Sequence, residues 1–197
     1  MNNVVYVSGT HGSGKSTLIK KLAEKDPELF VMYKRLVLPQ KFKDLHRRQK
    51  IRMARYYLQA HYLDGISKEK PDKVILCDRC SYDNLAYIKG FLNLGWVSAQ
   101  EFEDYIRMHD FLIAGNLKPK NVIFLNPSLE EVICNLKKRW ADTGKKKWRE
   151  DDFDYLTAVK EGFKDVYSGL DANVLEVKVM DIDKRVSESY SWIKKVT

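Results

Sequence analysis

The chain has 197 residues, 44% of them hydrophobic and 31% charged, with a formal net charge of +8. That length suits one domain, 1–197, with a sizeable buried core, and the basic balance favours polyanionic partners, nucleotides and nucleic acids alike. The start, Met1-Asn2-Asn3 running into an apolar strand, predicts neither secretion nor membrane insertion. Cys77, Cys80 and Cys134 lack the paired spacing of a zinc site or disulfide framework, which predicts reduced thiols in a cytoplasm.

Short apolar runs alternate with amphipathic segments, the order of an α/β fold with a parallel sheet. The first expected strand, Val4 to Val7, leads into Gly9-Thr10-His11-Gly12-Ser13-Gly14-Lys15-Ser16 and then a helical pattern from Leu18 to Leu22. Glycines there let the backbone turn sharply and aim successive N–H groups at an anion. Lys15 reaches the β and γ phosphates, Ser16 offers its hydroxyl to Mg²⁺, and Thr17 holds an α-phosphate oxygen. The segment predicts a P-loop binding ATP with Mg²⁺ through Gly9, His11, Gly12, Ser13, Gly14, Lys15, Ser16 and Thr17.

A second strand is expected over Leu29 to Tyr33, followed by Lys34-Arg35-Leu36-Val37-Leu38-Pro39, which carries no carboxylate. From Lys41 to about Ser67 the pattern predicts a long helix, with Leu45, Ile51, Ala54, Leu58 and Leu63 among its apolar positions. Its first half holds Lys41, Lys43, Arg47, Arg48, Lys50, Arg52 and Arg55, either a solvated face or a surface for nucleic acid. The third strand, Lys73 to Cys77, delivers Asp78-Arg79 to its carboxyl end, where ligands collect in open parallel sheets. Asp78 suits magnesium and Arg79 suits phosphate charge, the alternative being a surface ion pair.

Ser98-Ala99-Gln100-Glu101 and Ser128-Leu129-Glu130-Glu131 read as capping boxes that start two helices. The remaining strands fall at Val122 to Leu125 and Val174 to Val177. Between two good helices, about 142–152, a stretch with Lys145, Lys146, Lys147 and Arg149 has the charge of a lid over phosphates, with Arg149 completing the clamp. A solvated basic loop is the alternative.

The order of these motifs resembles the thymidylate kinase branch of the nucleoside monophosphate kinases, a family of P-loop kinases, and more distantly the deoxynucleoside kinases. The resemblance is carried by the phosphate loop, Asp78 through Tyr87, Leu136-Lys137-Lys138-Arg139, and Phe153 through Tyr167. It implies a P-loop NTPase three-layer sandwich, a five-stranded parallel sheet flanked by helices with a short basic lid. It also implies ATP- and Mg²⁺-dependent phosphoryl transfer to a (deoxy)nucleoside monophosphate, dTMP first, by a chain that pairs into a homodimer. Arg79 would contact the acceptor phosphate, Tyr87 would lie against the acceptor sugar or base, a core aromatic being the alternative, and Arg139 beside adenine. Deoxynucleoside kinases use a glutamine in a comparable helix, which makes Gln59 a candidate base reader, an exposed polar position being the alternative. Two positions depart from the thymidylate kinase pattern: His11 replaces an acidic residue, and Ile88 a glutamine.

A monophosphate is already ionised and needs positive charge more than a base, which suits Lys34, Arg35 and Arg79. The expected catalytic set is Lys15, Asp78, Arg79 and Arg149, with Arg35, Gln59, Arg79 and Tyr87 on the acceptor. Two further readings stand beside it: a kinase of a nucleoside, another small alcohol or a polynucleotide end, and a nucleic-acid-binding ATPase.

Overall fold

The structure, a computed structural model, describes residues 2–33, 44–146, 148–179 and 181–197. The expectations for Lys34, Arg35, Lys41, Lys43 and Lys147 therefore lie outside the described residues.

In chain order the elements are β1 (Val4–Gly9), α1 (Lys15–Lys25), β2 (Phe30–Tyr33), α2 (Leu45–Glu69), β3 (Val74–Asp78), α3 (Ser81–Asn93) and α4 (Ala99–Leu112). They continue with β4 (Asn121–Leu125), α5 (Leu129–Thr143), α6 (Phe153–Ser168), β5 (Asn173–Val177) and α7 (Ile182–Val196). The five strands form one parallel sheet in the order β2-β3-β1-β4-β5. Side chains alternate across a strand, so the sheet supplies two apolar layers. Val4, Tyr6, Ile75, Cys77, Val122 and Phe124 pack towards α2, α3 and α6, while Val5, Val7, Leu76, Ile123 and Leu125 meet α1 and α7. This is the expected three-layer sandwich.

Burial on both faces, expected of the strands, holds for β1 and β4 but fails at the two sheet edges. Met32 of β2 is 54% exposed, and Asn173 and Glu176 of β5 face solvent. An edge strand has one neighbour and a smaller share of the covering helices, so polar residues are tolerated there.

The expected helix from Lys41 begins, among the described residues, at Leu45, with the Asp44 side chain accepting from the Arg47 N–H as N-cap. Its apolar stripe is also shifted: Ala54 and Leu58 are exposed, whereas Gln49, Met53, Tyr56, Ala60 and Leu63 are buried at helical spacing. The basic run is consequently split, with Lys50 in solvent and Arg55 buried. Both capping boxes form as expected. Helices α3 and α6 cross closely at Gly90 and Gly162, where a Cβ on Gly90 would stand 2.7 Å from the Val159 Cα. No helix among the described residues is long and apolar enough to cross a membrane.

Candidate active site

The register pairs Val7 with Asp78 and Gly9 with Leu125, so the carboxyl ends of β1, β3 and β4 lie side by side. The loop leaving β1 has Gly9, Gly12 and Gly14 at φ of 140°, 72° and 91°. A Cβ at Gly12 would meet the Val132 carbonyl oxygen at 2.8 Å, so both the backbone conformation and the space require glycine. Helix α1 starts at Lys15 without a side-chain cap, which leaves the N–H groups of its first turn to an anion. Lys15 is buried and its ammonium donates to the Gly9 carbonyl at 2.9 Å and the Ser13 hydroxyl at 3.1 Å, with the Thr10 carbonyl a third acceptor. Two other helices brace the loop. Asn135 of α5 donates to the Gly12 carbonyl (2.8 Å), and Arg185 of α7 donates to that of Ser13 (2.9 Å).

Across the loop, β3 ends in Asp78, whose Oδ1 is buried and has no hydrogen-bond partner among the described residues. Arg79 follows with φ 74°, a left-handed conformation that costs a non-glycine residue on the order of 1 kcal/mol. Three contacts hold that turn: the Arg79 N–H donates to Val7 O (3.0 Å), Gln59 donates to Arg79 O (2.9 Å), and the guanidinium donates to Gly9 O (3.1 Å). Gln59 is therefore neither exposed nor on the cavity wall; it is buried behind the turn as a brace. The Arg79 guanidinium also donates to Asp83 Oδ2 at 2.7 Å and to the Tyr87 hydroxyl at 3.1 Å. Asp83 is fully buried and accepts a further bond from Tyr167 at 2.6 Å. Burial raises the Tyr87 phenol above its usual range, so its hydroxyl stays protonated beside Arg79.

Loop and turn open on one cavity of about 710 Å³. By element, one half of the lining comes from α1, α5 and α7 (Lys15, Ser16, Thr17, Lys138, Arg139 and Arg185) and the other from α2, the Arg79 turn and α3 (Arg52, Arg55, Tyr56, Arg79, Asn84 and Tyr87), with His11 and Asp78 also present. The structure thus gathers Gly12, Gly14, His11, Lys15, Ser16, Thr17, Asp78, Arg79, Tyr87 and Arg139 on one wall system, with Gly9 and Ser13 in the loop beneath. Ser16 and Asp78 suit a divalent cation. Among the described residues no three His, Cys, Asp or Glu side chains cluster as ligands. A hard ion such as Mg²⁺ needs no such cage, because water and phosphate oxygens complete its shell.

The segment after α5 lies docked rather than aimed at the loop. Arg149 does not line the cavity; it donates to Asp152 at 2.7 Å and covers the Trp96 ring at 4.4 Å. Lys146 pairs with Asp151 at 3.2 Å. Trp148 packs on Phe91, Trp96 and Tyr155, with the Arg48 guanidinium 4.7 Å over its ring. Glu150 is fully buried: it accepts from Arg139 and from the Trp140 indole (3.3 Å), and its other oxygen stands 3.5 Å from His11 Nδ1. One carboxylate so ties this segment to α5 and the phosphate loop.

Sequence reasoning missed Glu150, Arg52, Arg55, Asp83, Asn135 and Arg185 as parts of the site. Asp83 had a signal, since it follows Arg79 by four residues at the start of a helix.

Residues 4–185 match the AAA domain family. The chain belongs to that family. Comparison with curated protein sequences gives no match. Among solved structures it is similar to deoxyadenosine kinase from M. mycoides with bound dATP, at 20% identity and TM-score 0.73 over 97% of this chain and 99% of that one. The same enzyme with bound dCTP is 18% identical, TM-score 0.66, over 98% and 100%. Thymidylate kinase from Candida albicans is 17% identical, TM-score 0.67, over 98% and 91%. The AAA domain chain shares their P-loop kinase fold.

Proposed function

We propose that the protein transfers the γ-phosphoryl group of ATP, with Mg²⁺, to a (deoxy)nucleoside monophosphate, dTMP first, giving the diphosphate and ADP. The observation that carries this reading is that the glycine loop and the Asp78-Arg79 turn face one cavity with two cationic halves.

Lys15 would exchange its carbonyl contacts within the loop for the β and γ phosphates, and the uncapped N–H groups of α1 would meet the same oxygens. The Ser16 hydroxyl and Asp78 Oδ1 would hold Mg²⁺, which would supply positive charge to the transferring phosphates. Arg139 and Lys138 would flank the ATP side. Arg79 would align the acceptor phosphate through its tethers to Gly9, Asp83 and Tyr87, and Tyr87 would lie against the acceptor sugar or base. Cytoplasmic placement and homodimer formation belong to the same reading.

A second reading, phosphorylation of a nucleoside hydroxyl, draws on the unpartnered Asp78 Oδ1, which would then act as general base. It agrees with the deoxyadenosine kinase fold. The deciding experiment is ADP release with ATP and Mg²⁺ against dTMP, dUMP, dCMP, dAMP, dGMP, UMP, thymidine and deoxyadenosine, with Lys15→Ala as control. Turnover of a monophosphate supports the first reading and turnover of nucleosides alone the second. Silence across the panel with ATP binding intact overturns both.

A further inference from the structure

We propose that Arg52 of α2, rather than Arg79, supplies the uncompensated positive charge that takes the acceptor's phosphate, which makes Arg52 the residue that selects phosphorylated acceptors over their nucleosides. This rests on the monophosphate reading above.

The two guanidinium groups stand in different electrostatic circumstances. Arg79 is 9% exposed, and its charge is answered by the fully buried Asp83 at 2.7 Å. Three of its N–H donations go to Gly9, Asp83 and Tyr87. To an incoming anion the Arg79–Asp83 pair presents direction but little net charge. Arg52 lines the same half of the cavity, yet among the described residues it makes neither a hydrogen bond nor an ion pair. Its strongest electrostatic neighbours are Tyr87, Tyr56, Tyr155 and Arg79, none of them a carboxylate.

Arg52 is half-buried beside Tyr56 and Tyr87, and a guanidinium partly withdrawn from water without a partner among the described residues carries a desolvation cost. The cost is visible on the group itself: burial is the largest influence holding Arg52 below the usual arginine range, and the positive charge of Arg79 acts in the same direction. A dianionic phosphate between Tyr87 and Arg52 would remove the desolvation penalty of Arg52 and the repulsion between the two arginines together. A neutral nucleoside would do neither. Arg55, buried with its guanidinium 4.6 Å over the Tyr56 ring, adds to the same positive field. No acidic side chain among the described residues lines this half of the cavity; Asp78 and Asp142 lie on the loop and α5 sides. The planar fork of Arg52 matches two phosphate oxygens at once, which a lysine cannot do.

The test compares wild type, Arg52→Met and Arg52→Lys by calorimetric titration of dTMP and of thymidine without ATP, and by steady-state kinetics with dTMP. Arg52→Met keeps the length and apolar stem, and an unchanged thermal midpoint reports its folding. We expect Arg52→Met to weaken dTMP binding and raise its KM by roughly 10- to 10²-fold, the loss expected on removing one partner of a half-buried charged contact. The KM for ATP should stay within about twofold, and thymidine affinity should not move. Arg52→Lys should fall between, because charge survives and the bidentate fork does not. If Arg52→Met binds dTMP as wild type does, the assignment to Arg52 is wrong while the kinase reading stands. An equal loss of dTMP and thymidine would mean that Arg52 reads sugar or base, which also overturns it. Should wild type turn over no monophosphate at all, the function reading itself fails and this inference falls with it.

Discussion

Gly12 shows how little freedom the phosphate loop has at the level of a single side chain. Its φ of 72° and the 2.8 Å approach to Val132 leave no room for a methyl group, so Gly12→Ala should distort the loop and weaken ATP binding at least tenfold in a direct titration. Lys15→Ala should lower kcat by roughly 10²- to 10³-fold with every acceptor, as removal of one preorganised charge on the transferring group does. Asp83→Asn should be costly for a different reason: it strands the buried Arg79 charge. An urea titration should show a loss of about 3 kcal/mol, together with a raised acceptor KM as the turn loosens. Glycines and Lys15 were legible in the sequence because their spacing encodes a backbone path. The spacing of Asp83 after Arg79 allowed the pair without fixing its burial, and Glu150 carried no such signal, since it meets Arg139 and His11 only through the docking of a turn.

At the scale of elements, the strands and the strand-to-loop junctions could be read from apolar runs, but α2 could not. Its buried side carries Gln49, Arg55 and Gln59 beside Met53 and Leu63: Arg55 lines the cavity, Gln59 braces the Arg79 turn, and Met53 and Leu63 meet the core. Apolar periodicity reports core contact alone, so it placed Ala54 and Leu58 inside and left the arginines as surface. The α3–α6 crossing is equally silent in pattern, yet Gly90 and Gly162 let the two backbones meet directly there. Gly162→Ala would press a methyl group into the Ala86 carbonyl and the Gly90 backbone. The expected cost is about 1–3 kcal/mol, seen as a thermal midpoint lowered by several degrees with ATP affinity unchanged.

For the whole molecule, acid stability follows from a buried imidazole. His109 is fully buried, with Nε2 2.9 Å from the Ser81 hydroxyl and Nδ1 3.1 Å from Asp110. Burial pulls it below the ordinary imidazole value near 6.5, against the opposing pull of Asp110. The unfolded chain therefore takes up a proton first as pH falls, so the stability that neutral His109 allows is intact above about pH 6.5 and declines below it. Denaturant midpoints from pH 7.5 to 5 should drop through that window and flatten in His109→Gln; a flat wild-type profile would contradict this. Because Ser81 begins the helix that follows Arg79, the same acid step should reach the acceptor half of the cavity.

The aromatic cluster under the segment after α5 has an optical consequence. Trp148 touches Trp96, whose ring in turn lies 10° from parallel with that of Tyr155, and charged Arg48 and Arg149 stand over the two indoles. Indole emission responds to nearby charge and to hydration, so the protein carries an unlabelled reporter in the segment that Glu150 ties to Arg139 and the phosphate loop. Adding ATP should shift the emission of wild type, and Trp148→Phe should remove most of that change, which makes nucleotide occupancy readable in a cuvette before any acceptor is known.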